Sequence, residues 1–333
     1  MLRIFDEKLN GFLFVVIFPF LLFFMSYYGF ESSYVKLKSM EKAPNFMFSS
    51  VYAYRVIPNF LMVHVTDMLD FVVNNYLHSL KSFLLKNGTI FYHSIFLINS
   101  FFFVLASIIL NLILKLKPTE ILLNAKIRSM VHLLAVFFMI IVQYVPTNCD
   151  SIAVFFYVLG ILFTLKYYDQ RRTADFIFLC ITIFISTFVR ETACLNISFF
   201  AAIFINFKRI KTGNFKYLKE ITFLVLSFVL PYIGLKLMIT QDTSFFEGIY
   251  IKKNFTSPFN LAGLFFGFLG LYFTFRLCDD DGKSILKKYL FFSLPYLGMI
   301  TLVGLFWEAR LFLPLILSGV IVAFHQFKNM YTV

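Results

Sequence analysis

The sequence predicts an all-α, polytopic transmembrane helical bundle of about ten spans. Three observations point there: 60% of the residues are hydrophobic, long runs are almost free of charge, and Lys and Arg are unevenly spread among the loops. Forty-nine phenylalanines and a mean hydropathy of +0.81 put more apolar surface into 333 residues than a water-soluble core could hide.

Each span needs about 20 apolar residues to cross roughly 30 Å of hydrocarbon. On that criterion the spans fall near 11–29, 91–114, 129–146, 151–165, 176–189, 192–207, 221–239, 261–275, 290–307 and 311–326. The pair meeting at Arg190-Glu191 and the last span are short, so they are expected to pack inside the bundle or to bend. The chain reads as one integral membrane domain over 1–333. Its first span is too long, and too poor in small residues, for a cleavable signal peptide.

Orientation follows from the basic residues. With both termini in the cytoplasm, 19 of the 30 Lys and Arg residues lie inside, 16 of them grouped at 115–128, 166–172, 208–219 and 276–288. The net charge of +12 is then a topology signal with anionic lipid headgroups as its partner, and no nucleic acid is implied. Residues 59–85 would upset this count if they crossed the membrane. His64, Asp67, Asp70, Asn74, His78 and Lys81 recur at steps of three or four, drawing a polar stripe down one helical face. The segment therefore reads as an amphipathic helix in the outer interface, inside a long first extracytoplasmic loop of about 30–90.

Other chemistry finds little support. Cys149, Cys180, Cys194 and Cys278 are scattered, with no spacing suited to a metal or a disulfide framework. No phosphate loop, HExxH helix or internal repeat stands out. The sequons at Asn87, Asn196 and Asn254 are short patterns with many chance matches, and the wealth of Phe, Ile and Lys resembles an AT-rich bacterial genome. His93, His132 and His325 read as helix-end residues rather than ligands.

What remains is a set of ionisable groups at the outer ends of spans: Glu31, Glu41, Arg55, Asp150, Arg190-Glu191, Glu308 and Arg310, with Lys236 near the outer end of its span. At mid-membrane each would cost at least about 2.5 kcal/mol, so such groups need partners or water and are functional candidates. Each also has a plainer reading. Arg190 with Glu191, and Glu308 with Arg310, could cap tight turns as local pairs; Asp150 could be an N-cap; Arg55 and Lys236 could snorkel to the interface.

The order of these pieces resembles the bacterial GT-C-like multispanning membrane glycosyltransferases. The likeness lies in Glu31-Ser32-Ser33-Tyr34 after the first span, Tyr54-Arg55-Val56-Ile57-Pro58 in the long loop, Asp150 heading a middle span, Arg190-Glu191-Thr192 at a turn, and Glu308-Ala309-Arg310 before the last span. The resemblance implies transfer of a sugar from a polyprenyl-phosphate carrier to a glycan or lipid acceptor at the outer face of a bacterial inner membrane. Glu31 would be the loop carboxylate, a longer side chain than the family's usual Asp, with Glu41 the nearest substitute. Arg55, Arg190 and Arg310 would hold the carrier phosphate, while Glu191, Glu308, Asp150 and Tyr34 orient groups around it and Lys236 adds charge. No cofactor is implied, and a divalent metal is left open. A Wzy-type O-antigen or capsule polymerase, a transporter and a non-catalytic envelope scaffold are the competing classes.

The topology is testable by cysteine labelling of intact cells. Probes at Ser39 and Ser244 should react from outside and probes at Gly213 and Gly282 should not; labelling of the latter pair overturns the orientation.

Overall fold

The computed structural model describes residues 11–29, 35–44, 48, 50–144, 149–207, 216–239 and 248–327. Among these the regular structure is helical, and six helices are long and apolar enough to cross a membrane. The numbered helices are α1 (Leu13–Gly29), α2 (Val56–Asn75), α3 (Lys81–Lys86), α4 (Ile90–Lys115), α5 (Ala125–Gln143), α6 (Asp150–Gln170), α7 (Thr173–Thr187), α8 (Cys194–Phe204), α9 (Leu218–Met238), α10 (Ile251–Thr256), α11 (Pro258–Leu277), α12 (Asp280–Phe292), α13 (Leu294–Val303) and α14 (Leu313–Phe324).

The six are α2, α4, α5, α6, α9 and α11; α12 and α13 form a further pair bent by 51°, and α1, α7, α14 and the segment Glu191–Phe204 are shorter apolar helices. The other expected crossings fall on these shorter or bent helices. The expected span 290–307 begins at Asp280 instead, where Asp279 caps the helix by accepting from the Gly282 N–H at 2.7 Å, and it breaks at Ser293 because Pro295 cannot continue the preceding helix. Lys283, Lys287 and Lys288 therefore sit on a helix and not in a loop.

α4 and α6 form the centre, more than half buried within the protein, whereas α9 and α11 are mostly exposed. The exposed residues of these outer helices are large and apolar: Leu226, Leu230, Ile233 and Leu237 on α9, Phe265, Phe268, Leu269 and Phe273 on α11. So much continuous exposed hydrocarbon suits a lipid environment, consistent with a multi-pass membrane protein.

The ends of the bundle are distinct. At one end Asp150, at the start of α6, meets the links 188–191 and 304–311. At the other, Lys117 pairs with Asp169 at 2.5 Å, the Gln326 N–H donates to the Lys117 carbonyl, and the His325 ring, buried after α14, contacts the Leu116 carbonyl at 2.8 Å. His325 is thus a helix-end residue in a short clasp, and the basic residues of 115–128 and 166–172 share this end.

The segment 59–85 is two helices. α2 ends at Asn75, and after a break α3 lies beside the first turn of α4, where the His93 ring meets the Leu84 carbonyl at 3.0 Å. At its start α2 is tied to the link after α7, through the Ile57 N–H to the Phe188 carbonyl. Twenty residues make α2 about 30 Å long, while the return from Asn75 to Leu84 covers less than about 20 Å in turns of α and 3₁₀ helix. α2 packs against α4. His64, Asp67, Asp70 and Asn74 are exposed, and Pro58, Asn59, Met62 and Val73 are buried.

A line of small residues fixes α11 against α14 and the turn that precedes it. A side chain at Gly263 would overlap the Phe306 carbonyl, a Cβ at Gly267 would stand 2.7 Å from the Phe312 ring, and one at Gly270 would stand 2.5 Å from Ile316. Close backbone approach of this kind is how small residues hold helices together in lipid. Gly267→Val should destabilise the fold by about 1–3 kcal/mol through overpacking, read as a lowered thermal midpoint in detergent. Substitution at the open Gly298, which meets nothing within 4 Å, should leave the midpoint unchanged.

Candidate functional site

Four separate segments bring ionisable side chains to one end of the bundle. Asp150 is the first residue of α6, Arg190 and Glu191 lie in the turn after α7, Arg55 immediately precedes α2, and Glu308 and Arg310 precede α14. The local fold aims them inward. Arg190 is in extended backbone between α7 and the next turn, so its side chain leaves the helix axis and reaches α6. The residue flanking α6 is Cys149, which makes no side-chain cap. Asp150 is thus not an N-cap; both of its carboxylate oxygens are taken by arginines.

Arg190 Nη1 donates to Asp150 Oδ1 at 2.5 Å, and Arg310 Nη1 donates to Asp150 Oδ2 at 2.9 Å. Arg310 also makes a two-pronged contact with Glu308 Oε2, from Nη2 at 2.9 Å and from Nε at 3.2 Å. Asp150 is almost wholly buried, with 7% of its side chain exposed, and Arg190 follows at 13%. Burial works against the charge of Arg190, but the facing Asp150 carboxylate outweighs it and holds the guanidinium pKa above its ordinary value. For Arg310 the Asp150 charge is the leading influence and acts in the same direction. Burial pushes the Cys149 thiol up, so it is not primed as a nucleophile.

Arg55 is held differently. Its Nη2 stands 4.0 Å from Glu191 Oε2, its guanidinium lies over the Tyr52 ring at 4.5 Å, and its buried Nε has no hydrogen-bond partner among the described residues. Lys236, exposed on α9, places its ammonium 3.7 Å from the centre of the Tyr54 ring. Arg190 and Glu191 therefore do not pair with each other; each looks to a different partner.

A small cavity of about 10 Å³, the room of about one water, opens against Asp150, Arg190 and Arg310. Gln143, Tyr157 and Thr192 supply its other polar walls, and Leu313 and Pro314 close it. Gln143 donates to the Asp150 carbonyl at 3.3 Å, leaving its buried side-chain oxygen without a donor among the described residues. Beneath it the Tyr157 hydroxyl bonds to those of Tyr289, at 2.6 Å, and Ser318.

Glu31 and Tyr34 lie outside the described residues. Glu41 is exposed, in a chain segment joined to the start of α4 by the Thr89 N–H donating to the Lys38 carbonyl at 3.1 Å, and it has no ion-pair partner among the described residues. Among the described residues no group of three His, Cys, Asp or Glu side chains could hold a metal ion.

Sequence reasoning passed over the residues that position the Glu308–Arg310 turn. Asn254, set aside as a sequon, is fully buried: its Nδ2 donates to the Thr301 and Gly304 carbonyls at 3.0 and 2.8 Å, and its Oδ1 accepts from the Phe306 N–H. Asn260 accepts from the Trp307 N–H at 3.0 Å, and the Tyr296 hydroxyl donates to the Leu311 carbonyl at 2.9 Å. Asn196 is also fully buried, so neither sequon could carry a glycan in this fold. The available signal was an asparagine amid apolar sequence, where a polar group needs a partner.

Asp150→Asn would leave two largely buried guanidiniums short of negative charge. It should cost about 3–5 kcal/mol, the range for breaking a buried pair from one side. Thermal unfolding of the purified protein in detergent should show the drop; an unchanged midpoint would mean the network carries no stability.

Compared with family models, curated proteins and solved structures, the chain matches none. With no relative to lend it a function, function rests on the geometry of this site.

Proposed function

We propose that the chain is a membrane glycosyltransferase of the GT-C-like type, moving a sugar from a polyprenyl-phosphate carrier to a glycan or lipid acceptor at the extracytoplasmic face of a bacterial inner membrane. The observation that supports it is the convergence of Arg55, Asp150, Arg190, Glu191, Glu308 and Arg310 at one end of an apolar bundle, from positions up to 255 residues apart. In this reading the ten-crossing topology keeps the basic end in the cytoplasm, with α2 as an amphipathic helix lying in the outer interface.

In the reaction an acceptor hydroxyl attacks the anomeric carbon and the bond from that carbon to the carrier phosphate oxygen breaks. The phosphate departs with the electron pair, and the hydroxyl proton passes to a carboxylate. Arginine forks suit the charge that grows on the leaving phosphate. Asp150 and Glu308 hold Arg190 and Arg310 in place before substrate arrives, and Glu31 in the first outer loop is the base, with Glu41 its substitute.

A second reading has an observation of its own. Arg190 and Arg310 are fully matched by Asp150 and Glu308, as a purely stabilising network in a non-catalytic scaffold would also be. The two readings part on the base. Glu31→Gln should lower sugar transfer by about 10²–10⁴-fold in proteoliposomes supplied with polyprenyl-phosphate sugar, while the protein stays folded. Full transfer by a Glu31→Gln, Glu41→Gln double variant would remove the proposed base, and absence of transfer by the wild type with every carrier tried would favour the scaffold.

A further inference from the structure

Most of the exposed apolar surface lies along the sides of the bundle, but one part of it turns over onto the end that carries the charged cluster. The bare face of α11, from Phe273 through Phe265, runs to Phe259 in the first turn, where 81% of the residue is exposed. It continues onto α10 through Phe255 and Ile251, and onto the neighbouring link through Trp307, all of them exposed. These pieces are contiguous. The Phe255 ring meets Phe306 edge-on at 5.8 Å, the Trp307 N–H donates to Asn260, and the Tyr250 N–H donates to the Leu302 carbonyl at 2.7 Å.

α10 itself is three-sided. At about 100° per residue, the buried Asn254 takes the face toward the protein, Ile251 and Phe255 share an exposed apolar flank, and the exposed Lys252, Lys253 and Thr256 lie round the other side. We propose that α10 and Trp307 form an interfacial anchor, docked on the boundary between headgroups and acyl chains in the leaflet at the site end, and that this anchor sets the depth of the Glu308–Arg310 turn in the bilayer.

Three features make the partner a bilayer and not a second protein. The patch is continuous with the exposed apolar side of α11, so a bilayer that covers that side reaches α10 as well. Its composition changes as a membrane boundary does: phenylalanines along α11, then an indole that carries a polar N–H at one edge, then two lysines on the flank away from the apolar residues, free to extend into water. Finally, the patch is rigidly joined to the charged cluster. Asn254 and Asn260 bind the 301–307 link from within the protein, so the height taken by α10 and Trp307 passes directly to Glu308, the next residue along. Such an anchor operates whether or not the protein transfers sugar.

Trp307 is the single tryptophan of the chain, so the fluorescence of the wild-type protein reports on this patch without a label. The test uses phosphatidylcholine bilayers whose acyl chains carry bromine either near the headgroup or near the bilayer centre. Shallow bromine should quench the emission at least about twofold more than deep bromine, as burial at the headgroup boundary requires, and dissolved iodide should quench it weakly. An Ile251→Gln, Phe255→Gln double variant changes only outward-facing side chains and leaves Asn254 in place. It should keep its thermal midpoint while Trp307 becomes about threefold more open to iodide, because the apolar flank that held it in the interface is gone. Strongest quenching by deep bromine would overturn the proposal, since the patch would then belong to a crossing. So would strong iodide quenching with no response to brominated lipid, which would leave the patch in water for a protein partner. Unchanged depth of Trp307 in the folded double variant would remove α10 as the anchor.

Discussion

The Asp150 carboxylate is the constraint around which this end of the molecule is arranged. Its two oxygens bind Arg190 and Arg310, joining the start of α6 to the turn after α7 and to the segment before α14. Pairs so distant in sequence cannot form until the bundle has closed, so the network does not direct assembly of the individual helices. It fixes how their ends meet. Taking three charges from water is costly and is offset only when each oxygen and guanidinium finds a well-placed partner, which is why the segments that carry the arginines are themselves tightly held.

That support is most visible around Arg310. Asn254 and Asn260 bind four backbone groups between residues 301 and 307, Tyr296 binds the Leu311 carbonyl, and Gly263 and Gly267 let α11 approach Phe306 and Phe312. Side chains outside the charged cluster set the position of one inside it. The contrast with Arg55 is instructive: it has a loose carboxylate contact and a tyrosine face, and it is anchored mainly through its neighbour Ile57.

Much of the architecture was legible because apolar runs and polar interruptions follow simple rules. α4, α6, α9 and α11 lie where hydropathy puts them, and the candidate residues were found by asking where a charge sits at the end of an apolar run. The exact ends were less legible, because capping and proline decide them: Asp279 starts α12 well before its apolar half, and Pro295 divides it from α13. The polar stripe from His64 to Lys81 suggested one continuous helix, yet periodicity cannot register the break at Tyr76–Leu80. Pairing was the least legible of all. Adjacent Arg190 and Glu191 look like a pair in the sequence, but extended backbone sends them to different partners, and only the tertiary fold determines that Asp150 receives Arg310 from 160 residues away.

The shortness of α7 has a consequence for the surrounding lipid. Its 15 residues make a cylinder about 22 Å long, against a hydrocarbon layer of roughly 30 Å, and Ile177, Phe178, Ile181 and Phe184 are exposed along it. A bilayer meeting that face is drawn thinner to match it. α7 packs against α9, so the pinch falls beside Lys236. Beside α7 the headgroups and water stand closer to the middle of the bundle than they do beside the full-length α9 and α11, so polar side chains on that face meet water at a depth where their neighbours meet hydrocarbon.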